Sequence, residues 1–133
     1  MQERLRVFKA LSEETRMRIM GVLLQRECSV CEVAQSLSIS QTRASRGLTA
    51  LHNAGLSKTR RDGLWVLHSI DKDTVEKSCP GLLNLLDECL NDEEICVIDR
   101  ERLRHAVRES PCNYILELSE KEEAYSCESD SVG

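Results

Sequence analysis

A mainly α fold with a small β-hairpin, the winged helix-turn-helix, is the class this 133-residue sequence predicts, and three features predict it. Between Ser40 and Ile70 a helix-start signal, a basic helix and a glycine-turned basic hairpin follow one another without a gap. Just ahead of them an apolar stripe at Val30, Val33, Ala34 and Leu37 stops at Ser38-Ile39-Ser40, the pattern of two short helices joined by a tight turn. Aromatic residues make up only 3%, so the core must rest on Leu, Ile, Val and Ala, as in small helical domains.

Each element has its own signal. Leu5, Phe8 and Leu11 recur at helical spacing and predict a first helix. Ser12, Glu13 and Glu14 open a second, running to about Gln25, because acids in a first turn meet the positive end of the helix dipole. After the Val30 stripe, Ser40 can cap a fourth-placed helix by offering its hydroxyl to the amides of the first turn, and Ala44, Leu48 and Leu51 form its buried side. Ser40, Gln41, Thr42, Arg43, Ser45 and Arg46 are then left on the exposed N-terminal side, where a helix lying in a major groove reaches base edges and phosphates. From Leu56 to Thr59 and from Leu64 to Ile70 the helical period is lost, and Arg60-Arg61-Asp62-Gly63 predicts the turn, with Gly63 tolerating positive φ. Lys58, Arg60 and Arg61 near that tip would lie over a phosphate backbone and add affinity that falls with salt. Pro80 suits the first turn of a further helix with Leu82, Leu83, Leu86, Cys89 and Leu90 on its apolar side. A last helix, about 92–109, carries Ile95, Ile98, Leu103, Ala106 and Val107 before Pro111, and the acidic, Ser-rich segment 110–133 is expected to be flexible.

The net charge of −5 hides two halves of opposite sign. Residues 1–70 hold 11 Lys/Arg against 6 Asp/Glu, net +5, and residues 71–133 hold 7 against 17, net −10. A nucleic acid meets the local potential, so the basic half is compatible with groove binding. No apolar run is long enough to cross a membrane, and Met1 to Lys9 is charged throughout with no apolar h-region, which predicts a cytoplasmic chain. No Gly-rich phosphate loop is present and no His stands where it would pair with a Cys nucleophile, so an enzyme is not expected.

Seven cysteines in a cytosolic chain point to thiol chemistry and not to a disulfide framework. Cys28 and Cys31 are spaced Cys-x-x-Cys at a helix start, which puts two sulfurs on one face where the dipole is expected to lower thiol pKa and favour the thiolate that soft ions require. Cys89 reads as core within the leucine stripe, and Cys79 as a helix-cap neighbour beside Pro80. Cys96, Cys112 and Cys127 follow, while His52, His68 and His105 stand apart as surface or wing residues.

Phe8-Lys9-Ala10-Leu11-Ser12-Glu13-Glu14-Thr15-Arg16-Met17-Arg18-Ile19 resembles the opening of the ArsR/SmtB metalloregulator family, the arsenic-responsive and related bacterial repressors. Cys31-Glu32-Val33, Ser40-Gln41, Ser45-Arg46-Gly47-Leu48, Leu51, Ala54-Gly55-Leu56 and Arg60-Arg61-Asp62-Gly63-Leu64-Trp65 continue the match in order, over about residues 5–92. The resemblance implies a homodimeric winged-helix repressor released from double-stranded operator DNA by an inducer, with the first helix and the helix after the wing building the dimer interface. Residues 1–92 would then be the DNA-binding and dimerisation domain, 93–109 a C-terminal helix and 110–133 a tail. Arsenic-responsive members carry Cys-x-Cys at the inducer site; Cys31 matches the second of these, Ser29 occupies the place of the first, and Cys28 lies one residue earlier. The family often has His after Ser-Arg in the recognition helix, where Gly47 stands here. Trivalent arsenic or antimony takes three thiolates, which implies Cys28, Cys31 and a third from Cys96 or Cys112; cadmium or zinc would usually take four ligands. The alternative is a thiol-redox or persulfide-sensing repressor on the same fold.

Overall fold

The computed structural model describes residues 1–108, so the expectations for Pro111, Cys112, Cys127 and the acidic segment lie outside the described residues. The chain runs α1 (Gln2–Leu11), α2 (Glu14–Leu23), α3 (Val30–Leu37), α4 (Gln41–Asn53), β1 (Ser57–Asp62), β2 (Trp65–Ile70), α5 (Lys72–Ser78), α6 (Leu82–Asn91) and α7 (Glu94–His105). This is the winged helix-turn-helix order: α3, a turn and α4, then an antiparallel two-stranded hairpin.

Local chemistry sets the boundaries. Glu13, not Ser12, caps α2: its carboxylate accepts from the amides of Thr15 at 3.0 Å and Arg16 at 2.9 Å, while the Ser12 hydroxyl donates back to the Phe8 carbonyl at 2.6 Å. Ser29 and Glu32 form a reciprocal capping box at the start of α3, each side chain taking an amide the first turn leaves without a partner. Ser38 ends that helix in the left-handed region at φ 55, and Ser40 then caps α4 by accepting from the Arg43 amide at 3.1 Å. Ala44, Leu48 and Leu51 turn inward as expected, and Gly47 joins them.

Several expectations need correcting. Arg60, Arg61 and Asp62 belong to β1, and the hairpin turn is the pair Gly63-Leu64, because Asp62 lies opposite Trp65. Gly63, at φ 63, supplies the positive φ a two-residue hairpin demands. Helix α5, capped by Asp71, has no counterpart in the sequence reading; Val75 is its single buried residue, too little apolar pattern to notice. Pro80 stands ahead of α6 and not in its first turn, with Gly81 as the residue before the helix. Helix α7 stops at His105 instead of reaching 109, since Ala106 is extended at φ −68, ψ 136.

The core gathers Ile19, Met20, Val22, Val33, Leu37, Leu48, Leu51 and Leu56 between α2, α3, α4 and the base of the wing. Three buried faces differ from the apolar patterns. Helix α1 buries Val7, Ala10 and Leu11 and leaves Leu5 and Phe8 47% and 53% exposed. On α6, Leu82, Leu86 and Leu90 enter the protomer's own core while Leu85 is exposed, and Cys89 is exposed rather than core. On α7 the buried residues are Cys96, Asp99 and Leu103, with Ile95 and Ile98 turned outward. A charged residue takes an inward position because it is paired: the Arg18 guanidinium donates to both Asp99 carboxylate oxygens, at 2.9 and 2.7 Å, and to the Leu37 carbonyl at 3.0 Å. One guanidinium thus joins α2, α7 and the C-terminal end of α3.

A candidate nucleic-acid interface beside a buried thiol pair

Helix α4 presents Thr42, Ser45, Arg46, Thr49, His52 and Asn53 along its exposed side, with Ser40 at its cap and Gln41 half-buried. Thr49 was not anticipated; lying four residues past Ser45, it was readable from helical spacing. Arg43 is turned differently. Its guanidinium donates to the Thr15 hydroxyl at 3.0 Å, tying the first turn of α4 to the first turn of α2. Arg46 is therefore the more available arginine of the two.

On the wing, Lys58, Arg60 and Arg61 are all exposed. Arg60 is also held: its guanidinium grips the Glu27 carboxylate with both forks, Nε donating at 2.9 Å. That hydrogen-bonded pairing lowers the Glu27 pKa and raises that of Arg60. Glu27 was not singled out from sequence, and no local signal could have found a partner 33 positions away.

The segment containing Glu27 also reaches the wing through its backbone. Cys28 and His68 form an isolated antiparallel bridge, Cys28 N–H donating to the His68 carbonyl at 2.9 Å and His68 N–H to the Cys28 carbonyl at 2.7 Å. Residue 28 is thus a one-residue third strand along the outer edge of β2. His68, expected to stand apart, is half-buried; burial and the nearby His52 lower its pKa, and its Nδ1 has no hydrogen-bond partner among the described residues.

Cys28 is 0% exposed. Burial, only partly offset by Arg26, pushes its thiol up to about 12, the opposite of the lowering expected from a helix start. The reason is position: Ser29 is the N-cap, so Cys28 sits outside the helix, beyond the first-turn amides, with its thiol directed to the Arg26 carbonyl at 3.4 Å. Cys31 is inside the first turn and buried, its Sγ 3.0 Å from the Ser29 hydroxyl. Cys96, one candidate third thiol, is buried on α7, its Sγ close against Gly21 of α2, and burial raises its pKa. Among the described residues no group of three or more His, Cys, Asp or Glu side chains is assembled for a metal ion.

Beside the thiols lies a buried ionic hub. Glu32 accepts from Arg26 at 2.6 Å and Arg108 at 2.9 Å, and from the Ser29 amide at 3.0 Å. Burial opposes its ionisation, but the Ser29 amide and the two guanidinium groups prevail and hold its carboxyl below the ordinary value. Gln35 clamps the Val107 backbone at 2.8 and 3.0 Å. The end of the described chain is thereby strapped across α3, next to Cys31.

No helix among the described residues is long and apolar enough to cross a membrane. Residues 13–58 match the family described as bacterial regulatory protein, arsR family. The arsenic resistance transcriptional regulator ArsR1 of Pseudomonas putida is 34% identical over 94 residues, covering 67% of this chain and 73% of its own. A cadmium resistance transcriptional regulatory protein CadC homolog of Staphylococcus aureus is 42% identical over 73 residues, 54% of this chain, and the chain spans only 60% of its length. Among solved structures, a homodimeric winged helix-turn-helix DNA-binding domain from Mycobacterium bovis superposes with a TM-score of 0.57 at 29% identity, covering 70% of this chain and 82% of that one.

Proposed function

The chain belongs to the arsR family of bacterial regulatory proteins, and its relatives above are transcriptional regulators and not enzymes; from that premise we propose that it is a homodimeric, cytoplasmic repressor. It binds double-stranded operator DNA through Ser40, Gln41, Thr42, Arg43, Ser45 and Arg46 of α4 and through Lys58, Arg60 and Arg61 of the wing. It lets go when arsenite or antimonite binds the thiolates of Cys28 and Cys31; the alternative at the same thiols is a cadmium- or zinc-responsive repressor.

The observation that carries this reading is the double attachment of segment 26–28 to the wing, through the Cys28–His68 bridge and the Glu27–Arg60 pair. Soft ions bind thiolate, and Cys28 is 0% exposed, where burial opposes ionisation of its thiol and no ion can reach it. Ligation therefore requires the segment to open. Opening breaks two backbone hydrogen bonds to β2 and withdraws Glu27 from Arg60, so the wing moves with the ligand site. The first turn of α3 moves as well, and its stiff connection to α4 passes the shift to Gln41 through Arg46. A coupling of about 1–3 kcal/mol is enough to lower operator affinity by about 5- to 150-fold, and DNA must weaken inducer binding by the same factor.

For the third thiolate Cys96 and Cys112 are both kept as candidates. Cys96 is packed against Gly21 in the core.

The deciding experiment is an anisotropy titration of protein on its upstream DNA with arsenite, antimonite, cadmium, zinc and polysulfide in parallel. Arsenite or antimonite should release the parent, whereas Cys28→Ser and Cys31→Ser should bind DNA and stay bound. If both single variants are released as readily as the parent, the sensor lies elsewhere. Release by polysulfide alone would move the same thiols to the persulfide-sensing reading.

A further inference from the structure

Helix α1 has three faces. At 100° per residue, Val7, Ala10 and Leu11 turn into the core, Leu5 and Phe8 share a second face, and Arg6 and Lys9 share a third that neither of these uses. That third face borders an open groove of about 480 Å³ running between α1 and the C-terminal half of α4, lined by Arg6, Lys9, Arg16 and Asn53 over the small side chains of Ala50 and Ala54. Arg16 forms its fixed cation: Nε donates to the Ala10 carbonyl at 2.5 Å and Nη2 to the Lys9 carbonyl at 3.4 Å. Glu13 approaches it only to 3.9 Å. A second depression continues from Arg6 and Asn53 to Lys77 at the end of α5, with the Glu3 carboxylate on its α1 rim. Arg6, Lys9 and Lys77 make no ion pair among the described residues.

Wide, open and lined by cations spread along its length, this groove suits a linear anion better than a small one. Its edge is continuous with the DNA-facing side of α4, because Asn53 lies four residues past Thr49 and seven past Arg46 on the same stripe. We propose that the α1–α4 groove holds the duplex phosphate backbone flanking the bases read by α4, a sequence-independent contact in addition to the wing. The proposal rests on the DNA-binding reading above and assigns roles to Arg6, Lys9 and Arg16 that the recognition helix and wing do not supply.

The test measures operator and scrambled-duplex affinity of the full chain against salt, for the parent, the double variant R6A/K9A, the charge-retaining R6K/K9R and R102A on α7. Two lost phosphate contacts should lower the slope of log affinity against log salt by about 1.8. The drop in affinity should be the same factor on both duplexes. R6K/K9R and R102A should keep the parental slope. If the parent binds DNA and R6A/K9A keeps the parental slope, or loses no more than R102A does, the groove proposal is overturned alone. If the parent binds no duplex at any salt, the DNA-binding reading falls with it.

Discussion

A thiol becomes a ligand by losing its proton, and Cys28 is placed where that loss is most opposed. Burial pushes its thiol up to about 12, so the thiol form prevails at pH 7. We expect Cys28 and Cys31 to resist iodoacetamide in the native protein, labelling at least about 10-fold more slowly than the exposed Cys89, as read by mass spectrometry of digests. Equal labelling of all three would mean that segment 26–31 is already open without inducer. The spacing of the two cysteines was legible in the sequence; their burial was not, because it is built by His68 and the C-terminal strap, forty and more positions away. Arg43 and Arg46 teach the same lesson. Helical spacing placed both on the exposed side, but only the fold puts Thr15 beside Arg43.

Helix contacts depend on how closely the backbones approach, and α4 meets α2 at a glycine. A Cβ on Gly47 would lie 2.5 Å from Ile19 Cδ1, and Ile19 is 0% exposed, with little room to turn aside. A larger residue at this position must therefore displace the Ile19 side chain or push α4 off α2. Gly47→Leu should lose about 1–3 kcal/mol in urea unfolding despite the better helix propensity of Leu, because overpacking outweighs a gain of roughly 1 kcal/mol. A variant as stable as the parent would refute the close packing. At the start of α3, Glu32 has a depressed pKa in the fold, so its stabilising contribution is present above the ordinary value of 4.5 and is lost as pH falls through the lower folded value. His68 acts in the same direction from 6.5 downward, since the folded state opposes its protonation. Thermal midpoints should fall as pH drops through these ranges, and Glu32→Gln, already less stable at pH 7, should lose the acid-range part of the slope. The α3–turn–α4 unit was legible because caps and stripe are local signals. The inward face of α7 was not, because Asp99 is made tolerable in the core only by Arg18, 81 positions earlier.

The described residues leave apolar surface that they do not themselves cover. Leu5 and Phe8 on α1 and Leu85 on α6 are all about half exposed, and Arg4 bonds the Ser78 carbonyl at 3.0 Å, holding α1 beside the chain that leads into α6. On α1 and α6 these three are exposed and available to a second copy, whereas Leu82 and Leu86 are buried in the protomer. Phe8→Glu with Leu85→Glu should give a monomer by sedimentation at micromolar concentration and bind operator much more weakly, since two recognition helices about 34 Å apart read two half-sites where one reads a single half-site. A double variant that remains dimeric would place the interface elsewhere. The two halves carry opposed charge, +5 over residues 1–70 and −10 over residues 71–133.

Residue 28, bonded to His68 on the outer edge of β2, also occupies one amide and one carbonyl of that edge. A wing that parts from it acquires a bare β edge, the surface on which chains recruit one another into sheets. The form that releases DNA would then be the form prone to self-association. Repressor loaded with inducer should scatter more light on standing than either the inducer-free or the DNA-bound protein, and a Lys introduced at the exposed Val66 of the same strand should suppress it. Solubility and induction would then be set by the same pair of backbone hydrogen bonds.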